Sequence, residues 1–344
     1  MSESQDPLHT VTAEPPNLAP GAVADVVGTQ FGLGGELRRL ISERDQNFCL
    51  TTDTDERFVV KIVGLMEDPD VTDFQIEALL HLEHAAFPGV PRVVRTLTGA
   101  SHSEIMLDNN QTAVMRVVTW LAGETLMDVA MTPALLQQFG ERLASLDTAL
   151  QSFRHVGENQ VLLWDIQRSL KLRELFVHVD DSALRDRLGN VLDDFEARVQ
   201  PRLAALPTQV IHSDANTENV LVNEAGDIAG FIDFGDMLRS ARIIEVATAA
   251  SYLRSSDDPL RLMRPFLGGY HAVAPLQDAE YDVLFDLIRT RLCMTLAILH
   301  WRVAARDVDD PYRIKALAGE ATAADFLRDL DVLGRDRFVS QLHQ

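Results

Sequence analysis

Between Val210 and Asp236 the chain reads VIHSDANTENVLVNEAGDIAGFIDFGD, and no other stretch limits the possible folds so strongly. A turn carrying His212, Ser213 and Asp214 leads to Asn219 five positions on, and the apolar run Val220-Leu221-Val222 follows. Glu224-Ala225-Gly226-Asp227 has the composition of a tight turn, after which Ile228 begins a return toward Asp233. The pattern is that of a hairpin. With its turn centred between Ala225 and Gly226, Asn219 falls opposite Ile232, and Asp233 lies one step diagonal to it, within reach of a shared ion. A carboxamide and a carboxylate supply the hard oxygen ligands that magnesium prefers, and one or two such groups suffice where phosphates and water complete the shell. Asp214, on the connecting loop, is a carboxylate able to orient a hydroxyl group and receive its proton. Residue types and spacing together point to phosphoryl transfer.

At 344 residues the chain can bury two cores, or one large bilobed one. Its two cysteines, Cys49 and Cys293, sit far apart in apolar surroundings and are expected to be buried free thiols of a reducing compartment; no zinc spacing is present. A formal net charge of -21 excludes a general nucleic-acid binder, because phosphates would be repelled wherever basic residues are not clustered. The acidity serves solubility, or else lines a cleft for a cationic substrate. Residues 1–16 are polar and acidic, expected as a flexible tail and not as a signal peptide. No apolar run approaches the roughly 20 residues that a membrane helix needs, so no membrane partner and a cytoplasmic location are expected.

Upstream of the hairpin, Pro20 to Val27 reads as a short helix, and three strands follow at Glu36 to Ile41, Asn47 to Thr52 and Arg57 to Val63. The third, Phe58-Val59-Val60-Lys61-Ile62-Val63, buries one cation in an apolar run, so Lys61 requires an anionic neighbour or an edge position. A helix over Pro69 to His84 carries Glu77, and a strand pair spans Ser103 to Asp108 and Thr112 to Trp120. From Pro133 the periodicity turns helical: Leu135 to Leu150, Leu170 to Phe176, Ala183 to Val199, and, beyond the hairpin, Ile243 to Arg254, Leu260 to His271, Ala279 to Ala305 and Tyr312 to Leu333. The chain is therefore α+β, with a strand-rich part at 17–120 and a mostly helical part at 121–344 interrupted by the hairpin.

The motif H-x-D-x-x-x-x-N, the I-D-F-G that follows, and a strand lysine well upstream occur in this order within one chain, which resembles the aminoglycoside phosphotransferase-like branch of the protein-kinase fold. Within that branch it is most similar to the hydroxylysine-kinase-like group, which includes kinase domains fused to aminotransferases. The resemblance rests on Ser42 to Phe48, Val60-Lys61-Ile62, Arg116 to Gly123, Leu163-Trp164-Asp165, His212 to Asn219 and Phe231 to Asp236. It implies a bilobal protein-kinase-like fold, with an N-lobe of antiparallel sheet plus helix and a mostly helical C-lobe holding the catalytic hairpin.

It also implies roles. Asp214 would be the catalytic base, and Asn219 and Asp233 would bind magnesium. Lys61 would hold the phosphates of ATP or GTP, with Glu77 or its competitor Glu83 orienting it. Thr119, Trp120 and Leu121 would present backbone groups to the purine, and Ser42 lies in the loop expected to cover the phosphates. His212 would support the catalytic loop, and Asp236 would be a supporting group or a turn residue.

Two departures refine the expectation. Gly32, Gly34 and Gly35 precede the first strand, so no G-x-G-x-x-G loop exists, and no A-P-E follows Gly235. Glu245-Val246-Ala247 stands where this family more often has Asp-Leu-Ala. Without a segment for docking a protein, a small acceptor is favoured: a hydroxylated amino acid such as 5-hydroxylysine, with homoserine, choline or ethanolamine, methylthioribose and aminoglycosides as rivals, and a catalytically silent nucleotide-binding module as the reading of another class. Arg291 is a candidate clamp for a carboxylate. Trp164 and Asp165 are candidates for an ammonium group, the alternative being a buried Trp beside a helix-capping Asp.

Overall fold

The structure is a computed structural model describing residues 15–42, 44–107, 111–304, 306–307 and 309–342. Most of the expected tail, residues 1–14, lies outside the described residues. The chain clusters into two compact units. The first takes the chain up to Ala122 together with Phe153–Leu163 and Ala229–Gly235; the second takes Gly123–Ser152, Trp164–Ile228 and the chain from Asp236 onward.

The first unit opens with α1 (Pro20–Val26), which runs on as a wider π turn over Val27–Phe31 and stops at Gly32, whose φ is +68. Strands β1 (Glu36–Leu40), β2 (Gln46–Thr51) and β3 (Arg57–Ile62) form the expected antiparallel meander. Helix α2 (Pro69–His84) begins where the Asp68 side chain accepts the Asp70 N–H at 3.0 Å, with Pro69 preset for the first turn. Strands β4 (Val93–Val94), β5 (Ser103–Met106) and β6 (Thr112–Thr119) complete a six-stranded sheet in which β3 lies between β2 and β6, and both β4 and β5 pair with β6. Alternation gives this sheet two distinct faces. Phe48, Leu50, Val60, Ile62, Met115 and Val117 pack with Val23, Val27 and Phe31 of the N-terminal helix into one core. The opposite face carries a polar row, because the register pairs Asn47 with Lys61 and Lys61 with Arg116.

In the second unit, β7 (Glu124–Thr125) pairs with β9 (Val220–Val222). Helix α3 (Pro133–Leu150) is capped by the Thr132 hydroxyl, which accepts the Leu135 N–H at 3.2 Å. Residues 166–178 form a 3-10 run and not the expected α-helix, and the reason is in its pattern: Ile166, Ser169, Leu172 and Leu175 are buried at intervals of three. Helices α4 (Ser182–Asp194) and α5 (Gln200–Leu203) lead to β8 (Thr208–Ile211). After β9 comes β10 (Ile228–Phe231), most of which clusters with the first unit. Strand β11 (Leu238–Ala241) returns to pair with β8, a pairing between two four-residue segments that had no sequence signal. Then follow α6 (Arg242–Ala250), α7 (Met263–Val273), α8 (Asp278–Ala304), α9 (Pro311–Leu333) and α10 (Arg335–Leu342). Helix α8 is buried on almost every side, packing against the 3-10 run, α4, α6 and α9, and so forms the centre of this unit.

The hairpin turn differs from expectation by one residue. Asn223 donates its N–H to the Asp227 carbonyl at 2.9 Å, while its Oδ1 accepts the N–H groups of Ala225 and Asp227. Gly226, at φ +84, supplies the left-handed residue that ends a three-residue loop. The turn is thus centred on Ala225, and the register expected for the residues before and after it shifts by one. Both cysteines are free and buried.

Candidate active site

Beyond β8 the second unit holds Asp214 in a fixed setting. Ser213 sits at φ +66, which turns the chain sharply before Asp214. Asn219 donates its amide to the Asp214 carbonyl at 2.9 Å and to Asp214 Oδ2 at 2.8 Å. Arg291, from the middle of α8, reaches Asp214 Oδ1 at 3.0 Å. Each carboxylate oxygen therefore has its own partner, and the group is held in one orientation. Asn219 turns its amide N–H groups toward Asp214, which leaves its carbonyl oxygen as the end suited to a hard cation.

The loop is anchored from below. Glu245 of α6 is fully buried, and its Oε2 accepts the Ser213 N–H at 2.7 Å, with the amides of His212 and Ala215 directed at the same carboxylate. Burial pushes this carboxyl up to about 7 against the pull of those amides and of Arg291. A second buried carboxyl, Asp147 of α3, is raised well above its ordinary range by burial and by the charge of Glu245, and it accepts the Tyr270 hydroxyl. His212 is completely buried, and its Nδ1 accepts the Asp214 N–H at 3.3 Å. Asp236 adds negative charge in the field of Arg291.

Arg291 is not available as a carboxylate clamp. Besides Asp214 it bonds the Trp164 carbonyl at 3.3 Å, and its guanidinium lies 4.7 Å from the centre of the Trp164 ring. A second guanidinium, Arg302, lies 5.7 Å from the same ring. The indole is thus occupied by cations, which overturns its expected use for an ammonium group. Asp165 is likewise committed: it caps the 3-10 run by accepting the Gln167 N–H at 3.0 Å and pairs with Arg168 at 3.3 Å, and burial raises its carboxyl.

In the first unit, Lys61 is on an interior strand and finds its anions in Asp233, at 3.5 Å, and Asp45, at 3.8 Å. Asp233 holds φ +61 and is exposed, and a Cβ built on Gly235 would meet its Oδ1 at 3.2 Å and Arg44 Nη2 at 3.5 Å. Glu77 does not orient Lys61, nor does Glu83: both face solvent on α2. Gln75, a buried polar residue of that helix, donates its amide to the Gly235 carbonyl at 3.3 Å, and its oxygen accepts from Arg116. Thr119 and Trp120 already donate their N–H groups to the carbonyls of Arg92 and Arg57, at 2.9 and 3.0 Å. Of the three residues expected to present backbone groups to the purine, Thr119 and Trp120 thus have their N–H groups paired within the chain. Ser42 is half-buried in the loop before Asp45.

Sequence reasoning missed Asp45, Gln75 and the pairing of Arg291 with Asp214, and it noted Glu245 only as a departure. For Asp45 the signal was present: a strand lysine that needed an anion, and a short acidic loop before β2. Among the described residues no group of three His, Cys, Asp or Glu side chains could hold a metal. Magnesium commonly takes one or two protein oxygens with phosphates and water, and the carboxamide oxygen of Asn219 and the carboxylate of Asp233 are of the right chemical type.

The phosphotransferase enzyme (APH) family matches residues 36–283. The chain belongs to that family. It is a small-molecule kinase whose acceptor is an alcohol group. A hydroxylysine kinase of Danio rerio is 29% identical to this kinase over 313 residues, covering 86% of this chain and 88% of the relative. A homoserine kinase of Methylobacillus glycogenes is 26% identical over 248 residues, covering 71% and 72%. Among solved structures, amicoumacin kinase hAmiN in complex with AMP-PNP, Ca2+ and Ami superposes on the kinase with a TM-score of 0.71 at 16% identity, over 94% of this chain and 97% of the other. The α+β fold of this kinase is that of the protein-kinase-like phosphotransferases. No described helix is long and apolar enough to cross a membrane.

Proposed function

We propose that the chain transfers the terminal phosphoryl group of ATP or GTP, with magnesium, to the hydroxyl of a small amino-bearing acceptor, and that a 5-hydroxylysine-like amino acid is the favoured one. The observation that carries this reading is the fixed Asp214 carboxylate, one oxygen on Asn219 and the other on Arg291. A carboxylate so held keeps lone pairs for an incoming hydroxyl and can orient it and receive its proton as the new O–P bond forms. Lys61 binds phosphate oxygens of the nucleotide and offsets charge that builds on them. Asn219 and Asp233 would each offer an oxygen to a magnesium ion, which would supply charge neutralisation for the phosphates.

Similarity to hydroxylysine kinases supports a hydroxylysine-like amino acid as the first reading. Homoserine satisfies the same chemistry, and similarity to a homoserine kinase supports it as the second reading. The test is a phosphoryl-transfer screen with ATP and GTP against hydroxylysine, homoserine, choline, ethanolamine and several aminoglycosides. The expected result is transfer to hydroxylysine, with Asp214→Ala losing it by a factor of about 10³ or more while still binding nucleotide. Full activity in Asp214→Ala would remove the mechanism. Transfer to an aminoglycoside alone would remove the acceptor.

A further inference from the structure

The cross-strand row Asn47, Lys61 and Arg116 presents an electrostatic problem. Lys61 and Arg116 are directly opposite on adjacent antiparallel strands, so two cations project on one face of the sheet, and like charges so placed repel. Arg116 is buried and bonded to the neutral Gln75, so helix α2 supplies Lys61 with no counter-charge at this position. Two carboxylates remain. Asp233 is 56% exposed and is also the group assigned above to magnesium, so it is not reserved for Lys61. Asp45 differs on both counts: its side chain is 14% exposed, as is that of Lys61, and its Oδ1 is tied by the Gly64 N–H at 3.1 Å while its Oδ2 faces Lys61. Gly64 lies two residues beyond the end of β3, so one carboxylate couples the loop before β2 to the chain that carries Lys61.

We propose that Asp45, and not a carboxylate of the long helix, is the positioning residue that holds the Lys61 ammonium in place to receive the phosphates of the nucleotide. The proposal rests on the reading of Lys61 as a phosphate-binding residue. Asp45 acts through Lys61 and sets the direction of the ammonium. A partly buried pair of this kind is screened little by salt, so its effect persists at physiological ionic strength.

The experiment measures the affinity of the full chain for MgATP and for adenosine in wild type, Asp45→Asn, Asp45→Glu, Lys61→Met and the double variant Asp45→Asn with Lys61→Met. Asp45→Asn keeps the shape and the bond to Gly64 but removes the charge. It is expected to weaken MgATP about tenfold, to leave adenosine binding and the melting temperature without ligand within error of wild type, and to add nothing on the Lys61→Met background. Asp45→Glu is expected to restore most of the MgATP affinity. Should Lys61→Met weaken MgATP while Asp45→Asn does not, the proposal falls and the reading of Lys61 stands. Should neither variant affect MgATP, both fall. A loss in Asp45→Asn that is equal for MgATP and adenosine, or fully additive with Lys61→Met, would mark Asp45 as a structural residue only and overturn the proposal.

Discussion

Arg291 does three things at once: it pairs with Asp214, bonds the Trp164 carbonyl and lies over the Trp164 ring, all from a position that is 2% exposed. Its planar fork permits this, and the point charge of a lysine does not. Arg291→Lys is therefore expected to lower kcat by about 10²-fold with little change in nucleotide affinity, a split that steady-state kinetics and MgATP titration resolve. Equal losses in both would mean that the guanidinium does not serve Asp214 in particular. Asp214 and Asn219 were legible in the sequence because a short motif fixes their spacing, and Lys61 because it is the one cation in the apolar run Phe58 to Val63. The partners that orient them were not: Arg291 lies 77 residues from Asp214, and its identity as a partner depends on how α8 packs.

Among the elements, α3 and α7 cross unusually closely. A Cβ on Gly140 would lie 2.0 Å from the Phe266 carbonyl oxygen, and one on Gly269 would lie 2.1 Å from that of Gln137, so backbone meets backbone at two points of the crossing. Gly140→Ala forces the helices apart and is expected to cost about 3 kcal/mol, seen as a lower urea midpoint with an unchanged slope. Gly268, which faces open space one residue before Gly269, is the matched control. Strands β1, β2, β3, β5 and β6 and helix α2 were readable because alternation, turn residues and caps are local signals. The pairing of β8 with β11 was not, since two four-residue strands from distant parts of the chain carry no local mark of each other. The segment read as helical at Leu170 to Phe176 is part of a longer 3-10 run, because apolar spacing of three resembles part of a three-and-four pattern.

At the scale of the whole molecule, buried carboxyls make stability depend on pH. The Glu245 carboxyl lies near 7 in the folded chain against an ordinary 4.5, so the folded state binds more protons across that window. Stability then falls as pH rises from about 4.5 to 7 and levels off above, by an amount on the order of 3 kcal/mol, and raised Asp147 acts in the same direction. Denaturation midpoints between pH 5 and 8 should show this slope, and Glu245→Gln should flatten it; a midpoint that rises with pH equally in both proteins would contradict it. The first unit has another property of this scale, since the chain enters it three times and its last piece ends at Gly235. During synthesis the ribosome delivers Ala122 long before Gly235, and at 5–20 residues per second the interval is roughly 6 to 20 s. The six-stranded sheet of the first unit is complete by Thr119, but a nascent chain stalled before residue 229 lacks the segment that carries Asp233, one of the two carboxylates beside Lys61, and is expected to show a lower melting temperature for this unit than the full chain.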